Sequence, residues 1–229
     1  MALIVAQGRP ARSVLQTLST VATPGTPQPR RRTRAENRDF RRDSLITAAI
    51  SVVARHDITG ATVERICEHA GVSRGLIGHY FDSKEQLLVV ALEFQFNRAV
   101  RIKYAIAQDT ALTPVARLNA MAAASFEPPI YTVDEMSSWQ AFTNASRSLP
   151  AFRPPIRYAG RALHDLFEPQ FRAAAAERRL DINGSRAAFG LVTLLDGLWN
   201  SLATGKDDAD PEEAIATCQL FIEGCLKPV

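Results

Sequence analysis

The chain has 229 residues, 46% hydrophobic and 22% charged, a balance that fits a globular protein with a buried core. No apolar run approaches the roughly 18 to 20 residues that span a bilayer. Cys67, Cys218 and Cys225 are an odd number with no C-x-x-C pair, which argues against a disulfide scaffold and a cysteine zinc site. The formal net charge of +3 hides an asymmetry: nine arginines against Glu36 and Asp39 give residues 1–42 a net +7, leaving −4 on the other 187.

Residues 1–37 form the expected arm, basic and disordered. Thr23-Pro24-Gly25-Thr26-Pro27-Gln28-Pro29 suits neither helix nor central strand, and Arg30, Arg31, Arg32 and Arg34 follow at once. A basic arm on a mildly acidic body points to a polyanionic partner near that end; a solvated tail is the alternative. Residues 1–21 lack acids, as transit peptides do, but Gly8-Arg9-Pro10 interrupts any apolar segment of signal-peptide length.

From Phe40 onward the pattern is helical. Leu45, Ile46, Ala49, Ile50, Val52 and Val53 make one apolar face, predicting a helix of about 15 residues that stops near His56-Asp57. Thr62 caps a short second helix over 63–70, Gly71 supplies a left-handed stop, and Ser73 caps a third over 74–81. Ser83 with Gln86 is a capping box that opens a long helix to about residue 107. Further starts are Thr113-Pro114, the box Thr132-x-x-Glu135, and a helix over 156–179 after Pro154-Pro155. Asn183-Gly184-Ser185 precedes an apolar helix over 187–203, and Asp210-Pro211-x-Glu213 opens the last. No strand is predicted. The expected fold is all-α.

The informative segment is residues 62–88. Two short helices joined by Ala70-Gly71-Val72-Ser73 meet at a steep angle, because Gly71 permits the turn and Val72 plugs the corner. In such a helix-turn-helix the second helix enters the major groove with its N-terminus first, so Ser73, Arg74 and Gly75 lie nearest DNA. Gly75 and Gly78 are poor helix formers on one outer face, which implies a close approach to the backbone. Arg74 suits guanine or phosphate, His79 and Tyr80 suit phosphates or thymine methyls, and Lys84 opens a helix whose dipole also favours phosphate. A small helical hairpin with surface glycines and no ligand is the alternative.

Thr62, Ile66, Ala70-Gly71-Val72-Ser73, Gly75, Ile77, His79-Tyr80-Phe81, Lys84 and Leu87-Leu88 closely resemble the DNA-binding domain of the TetR family of transcriptional regulators. Gly78 stands where most members carry tyrosine; a small residue there resembles the choline-responsive BetI branch. Ser138-Trp139-Gln140-Ala141-Phe142 and Leu195-Asp196-Gly197-Leu198-Trp199 resemble segments of that branch further on, while Thr143-Asn144 lacks its second aromatic. The resemblance implies a three-helix DNA-binding domain over 38–92 and a larger helical domain for effector binding and dimerisation over 93–229. It also implies a homodimer on an inverted-repeat DNA operator, repression relieved by a small molecule, and a bacterial cytoplasmic location at the operator.

The candidate DNA contacts are Arg34, Arg38, Thr62, Ser73, Arg74, Gly75, Gly78, His79, Tyr80 and Lys84. Trp139, Phe142, Asp196 and Trp199 are candidates for a ligand pocket, the aromatics having plain core packing as their alternative. Asp196 lies in an apolar stretch, where it either meets a cationic ligand or satisfies itself at a helix contact or in water. The resemblance favours a quaternary ammonium such as choline; the missing aromatic leaves a larger or more neutral effector open. Leu194, Leu198, Ile215 and Ile222 are candidates for a four-helix dimer seam. His56, His69, His79 and His164 lack metal-site spacing, and no nucleotide, cofactor or hydrolase motif is present. Two rivals remain: a helical small-molecule-binding protein or enzyme with a vestigial helix-turn-helix, and a DNA-organising protein without an effector.

Overall fold

The computed structural model describes residues 33–205 and 210–228. Among these, eight α-helices and three short 3-10 helices form the whole of the regular structure. Residues 1–32 of the expected arm, and the side chain of Arg34, lie outside the described set.

Helix α1, Arg34–Gly60, begins six residues before the apolar pattern does. The Thr33 hydroxyl accepts from Glu36 N at 3.2 Å and the Glu36 carboxylate accepts from Thr33 N at 2.7 Å. This reciprocal cap holds the start of the helix, where residues 36–43 are exposed, so residues 34–37 are helix and not arm. The expected stop at His56-Asp57 is a kink. Asp57 takes a φ of 60°, its carboxylate accepts from Ile58 N at 2.8 Å, and Ile58 turns inward.

Helix α2, Val63–Ala70, has Thr62 as its cap, and Gly71 ends it at φ 66°, a conformation glycine adopts without strain. The third element is a 3-10 helix over Arg74–His79 instead of the expected α-helix over 74–81. Ser73 makes no side-chain cap, and two glycines in six residues weaken the case for α geometry. Helix α3, Lys84–Ala107, follows as expected. Its box is offset by one residue: the Ser83 hydroxyl accepts from Gln86 N, while the Gln86 amide oxygen accepts from Asp82 N.

The remaining helices are α4 (Pro114–Ala123), α5 (Val133–Ala145), α6 (Arg153–Arg178), α7 (Gly184–Thr204) and α8 (Pro211–Cys225). Their predicted caps are all in use: the Thr113, Thr132, Asn183 and Asp210 side chains each accept a first-turn N–H. Helices α7 and α8 cross closely at Gly190, where a β-carbon would stand 2.7 Å from the Phe221 ring.

Two buried clusters divide the molecule. The first unites α1, α2 and the start of α3, and it also takes in Phe142 of α5 and Phe152. The second joins α4, α6, α7 and α8 with the end of α3. The expected boundary at residue 92 is therefore not a break in the core. No helix pair packs more extensively than α1 with α5. Helix α3 threads both clusters, with Leu87, Leu88, Ala91 and Leu92 in the first and Ala107 in the second.

Candidate nucleic-acid interface and ligand cleft

At the N-terminal end, Ser73, Arg74, Gly75, Gly78 and His79 are all exposed on one side of the helix-turn-helix. A groove between α1 and the 3-10 helix is lined by Asn37, Arg38, Arg41, Leu76, His79 and Tyr80, with no acid among them. Arg41 was not among the sequence candidates, because nothing local ties a residue of α1 to one forty positions later. Thr62 is occupied as a cap, its hydroxyl accepting from Arg65 N at 3.3 Å. Arg74 reaches back to Glu64 at 3.1 Å, an exposed pair that a phosphate or base could displace at small cost. Lys84 occupies the first turn of α3, where unpaired N–H groups and the helix dipole add to its charge. A β-carbon at Gly75 or Gly78 would meet nothing within 4 Å, so no packing inside the protein requires these glycines.

The second site is a cleft of about 640 Å³, open mouth included, between α3, α5, α6 and α7. Trp139, Asp196 and Trp199 all line it. Phe142 does not; it is fully buried in the first core, its ring 5.4 Å from that of Phe152. It belongs to the buried cluster of the N-terminal helices, so the pocket assignment gives way to core packing. The aromatic absent at Thr143-Asn144 is supplied from elsewhere. Phe96 of α3 meets Trp139 edge-on at 5.0 Å and also lines the cleft. Tyr131 meets Trp199 edge-on at 5.8 Å, and the Trp199 indole N–H donates to the Ser125 carbonyl at 2.9 Å.

Charged and polar groups line the same cleft. Glu135, read from sequence as a capping acid, turns inward instead. Its carboxylate pairs with Arg98 and accepts from the Gln95 amide at 2.6 Å, while Gln95 also donates to Ser138 Oγ at 2.8 Å. Gln95 Oε1 and Arg98 Nε are buried without a partner among the described residues. Lys103 is only 2% exposed, and burial pushes its pKa down to about 8. Asp196 lines the cleft and is exposed to solvent on one side, while the protein around it pushes its pKa up to about 6. Gln95, Arg98 and Lys103 share a face of α3, but their polarity hid them inside a pattern scanned for apolar residues.

Of the seam candidates, Leu194, Leu198 and Ile215 are half-buried against the protomer's own second core. Ile222 is fully buried there and cannot meet a partner. The outward apolar residues on these helices are Phe189 of α7 and Leu220 of α8, 67% and 71% exposed.

Residues 45–91 match the family of bacterial regulatory proteins called tetR, and residues 114–227 match the C-terminal domain of BetI-type transcriptional repressors. The regulator BetI of Pseudomonas paraeruginosa is 34% identical over 180 residues, which cover 77% of this chain and 88% of that protein. This chain belongs to the TetR family. The BetI of Burkholderia mallei is 29% identical over 83% of this chain and 96% of its own length. A solved regulator from Pseudomonas aeruginosa superposes with a TM-score of 0.72 at 29% identity, covering 81% of this chain and 90% of that one. A regulator from Saccharomonospora viridis, solved in complex with choline, has the same fold, with a TM-score of 0.71 at 22% identity over 81% of this chain and 96% of that one.

As a TetR-family member with a BetI-type C-terminal domain, the protein is a DNA-binding transcriptional regulator and not an enzyme. Among the described residues, no helix is long and apolar enough to cross a membrane.

Proposed function

We propose that the protein is a repressor that binds an inverted-repeat operator as a homodimer in the bacterial cytoplasm and is released by a small molecule in the cleft. The observation that carries this reading is helix α3. Its first turns share a buried cluster with Ile77 of the 3-10 helix that carries Arg74 and His79, and its middle forms one wall of the cleft. A second route runs through α5, which bears Glu135 and Trp139 in the cleft and packs along α1. A ligand that shifts either helix tilts the DNA-facing residues. Operator and ligand then compete through one coupling free energy, typically about 1–3 kcal/mol.

Arg38, Ser73, Arg74, Gly75, Gly78, His79, Tyr80 and Lys84 are the proposed DNA contacts, with Arg41 added and Arg34 supplied from the start of α1. The proposed division keeps residues 38–92 as the DNA-binding unit and 93–229 as the effector and dimer unit, joined through Phe142. Phe189 and Leu220 are the proposed centre of the dimer seam, because they are the large apolar groups that α7 and α8 leave uncovered. Pairing there sets two DNA-reading elements about 34 Å apart.

Trp139, Trp199 and Phe96 beside Asp196 are the residue types that hold a quaternary ammonium, which needs an aromatic face within about 6 Å and a carboxylate nearby. Choline in the Saccharomonospora viridis regulator supports an effector of that kind. The test is a gel shift on the chain's own upstream region, with and without choline, betaine aldehyde and uncharged isosteres, alongside sedimentation at micromolar protein. Release by a charged compound from a dimeric complex is the expected result; no binding to that DNA, or a monomer, overturns the reading.

A further inference from the structure

Four charged residues line the cleft, and only two of them answer each other. Arg98 and Glu135 form an ion pair. Lys103 lines the same cleft at 2% exposure, and neither a carboxylate nor a hydrogen-bond acceptor meets it among the described residues. Asp196 also lines the cleft, exposed to solvent and with no hydrogen bond or ion pair to another described residue. Even after burial Lys103 keeps its proton at neutral pH, because its pKa remains about 8.

An isolated buried ammonium is among the costliest groups a fold can carry, and proteins retain one where a counter-charge arrives. A purely cationic ligand satisfies Asp196 and the aromatic rings but brings a second positive charge toward Lys103. A purely anionic ligand satisfies Lys103 and leaves the rings and Asp196 without their complement. Resting on the reading of this cleft as the effector site, we propose that it takes a small zwitterion, whose ammonium meets Trp139, Trp199 and Asp196 and whose carboxylate meets Lys103. The unpartnered Gln95 Oε1 and Arg98 Nε mark further hydrogen-bonding positions that such a ligand reaches directly or through water.

The experiment is calorimetric titration of the full chain with four probes: trimethylglycine, its homologue longer by two methylenes, choline, and tert-butylacetate. The first two carry both charges, choline lacks the carboxylate, and tert-butylacetate lacks the cation. At least one zwitterion should bind about tenfold or more tightly than choline and tert-butylacetate, the usual scale for a charge-assisted hydrogen bond. In Lys103→Met the advantage over choline should vanish, and in Asp196→Asn the advantage over tert-butylacetate should shrink. Retained operator binding and an unchanged or higher melting temperature certify that each variant is folded. Choline binding as tightly as both zwitterions, an advantage that survives Lys103→Met, or no binding of any probe at millimolar concentration overturns the proposal. Gel shifts with the same probes separate the two readings. Release by choline alone keeps the effector role and sinks the zwitterion, whereas tight zwitterion binding without release does the reverse.

Discussion

On the DNA face, Arg38, Arg74, Gly75, Gly78 and His79 are exposed, and no packing inside the protein depends on the two glycines. In the cleft, Gln95, Lys103 and Glu135 are each less than a tenth exposed, and they come from two helices over forty positions of sequence. The proposed DNA contacts are side chains that contribute little to folding. The cleft places charges where folding must bear them, which is the condition for a ligand to do energetic work on the fold. Between the two lies the α1–α5 contact, whose Phe142 belongs to the DNA-binding core although it sits on a cleft helix.

The largest effect that breaks this contrast is at that joint. Phe142→Ala removes a fully buried ring and should destabilise the protein by about 3–5 kcal/mol, measured by denaturant unfolding. Because the ring anchors α5 to α1, operator affinity should fall as well. A loss of stability below about 1 kcal/mol would mean that the two units are not joined there.

Next comes Lys103→Met, with the opposite sign. The folded lysine releases its proton near pH 8 and the unfolded one near its usual 10.5. Between those values the unfolded chain binds more protons, so stability rises with pH, and the full penalty is present below pH 8. The shift corresponds to about 3 kcal/mol, so the variant should be more stable than the parent by up to that order at pH 7. The gap should close between about pH 8 and 10.5. Arg98, Glu135 and Asp196 are the other charged groups lining the cleft, and Asp196, pushed up to about 6, lies below that window. A gap that stays constant through it would place the lysine ammonium in water.

On the DNA face the effects fall on binding and spare stability. Arg74→Ala should weaken operator binding by about 1–3 kcal/mol if it reads a guanine, and Lys84→Ala should flatten the salt slope by about 1 on any DNA. Neither should move the melting temperature appreciably, since the Arg74–Glu64 pair is exposed. The smallest effect sharpens the comparison most. Gly78→Ala should leave stability within about 1 kcal/mol, or raise it slightly, and yet reduce operator affinity in gel shift. Equal operator affinity would show that the backbone at Gly78 is not approached.

How much was legible follows the same line. Helix caps at Thr62, Ser83, Thr113, Asn183 and Asp210 were read correctly because a cap is decided within four residues. The same local logic misled at Glu135, whose spacing from Thr132 fits a capping box while Gln95 and Arg98, forty positions away, claim its carboxylate. Thr33 and Glu36 form the cap that the basic composition around them concealed. Phe142 is a pocket candidate by its aromatic ring and the family resemblance, and Ile222 a seam candidate by the apolar face of the last helix, and the core took both.

Sequence by itself determined the all-α architecture, most of the helix starts and the helix-turn-helix, because periodicity, caps and turn glycines act over one to four residues. Tertiary structure decided which charges share a cleft, that Phe96 joins Trp139 and Trp199 in lining it, and that Phe189 and Leu220 face outward. Those outcomes depend on how helices cross. A rotation of one helix by a single residue, about 100°, exchanges a buried side chain for an exposed one, and only the packed core fixes that angle.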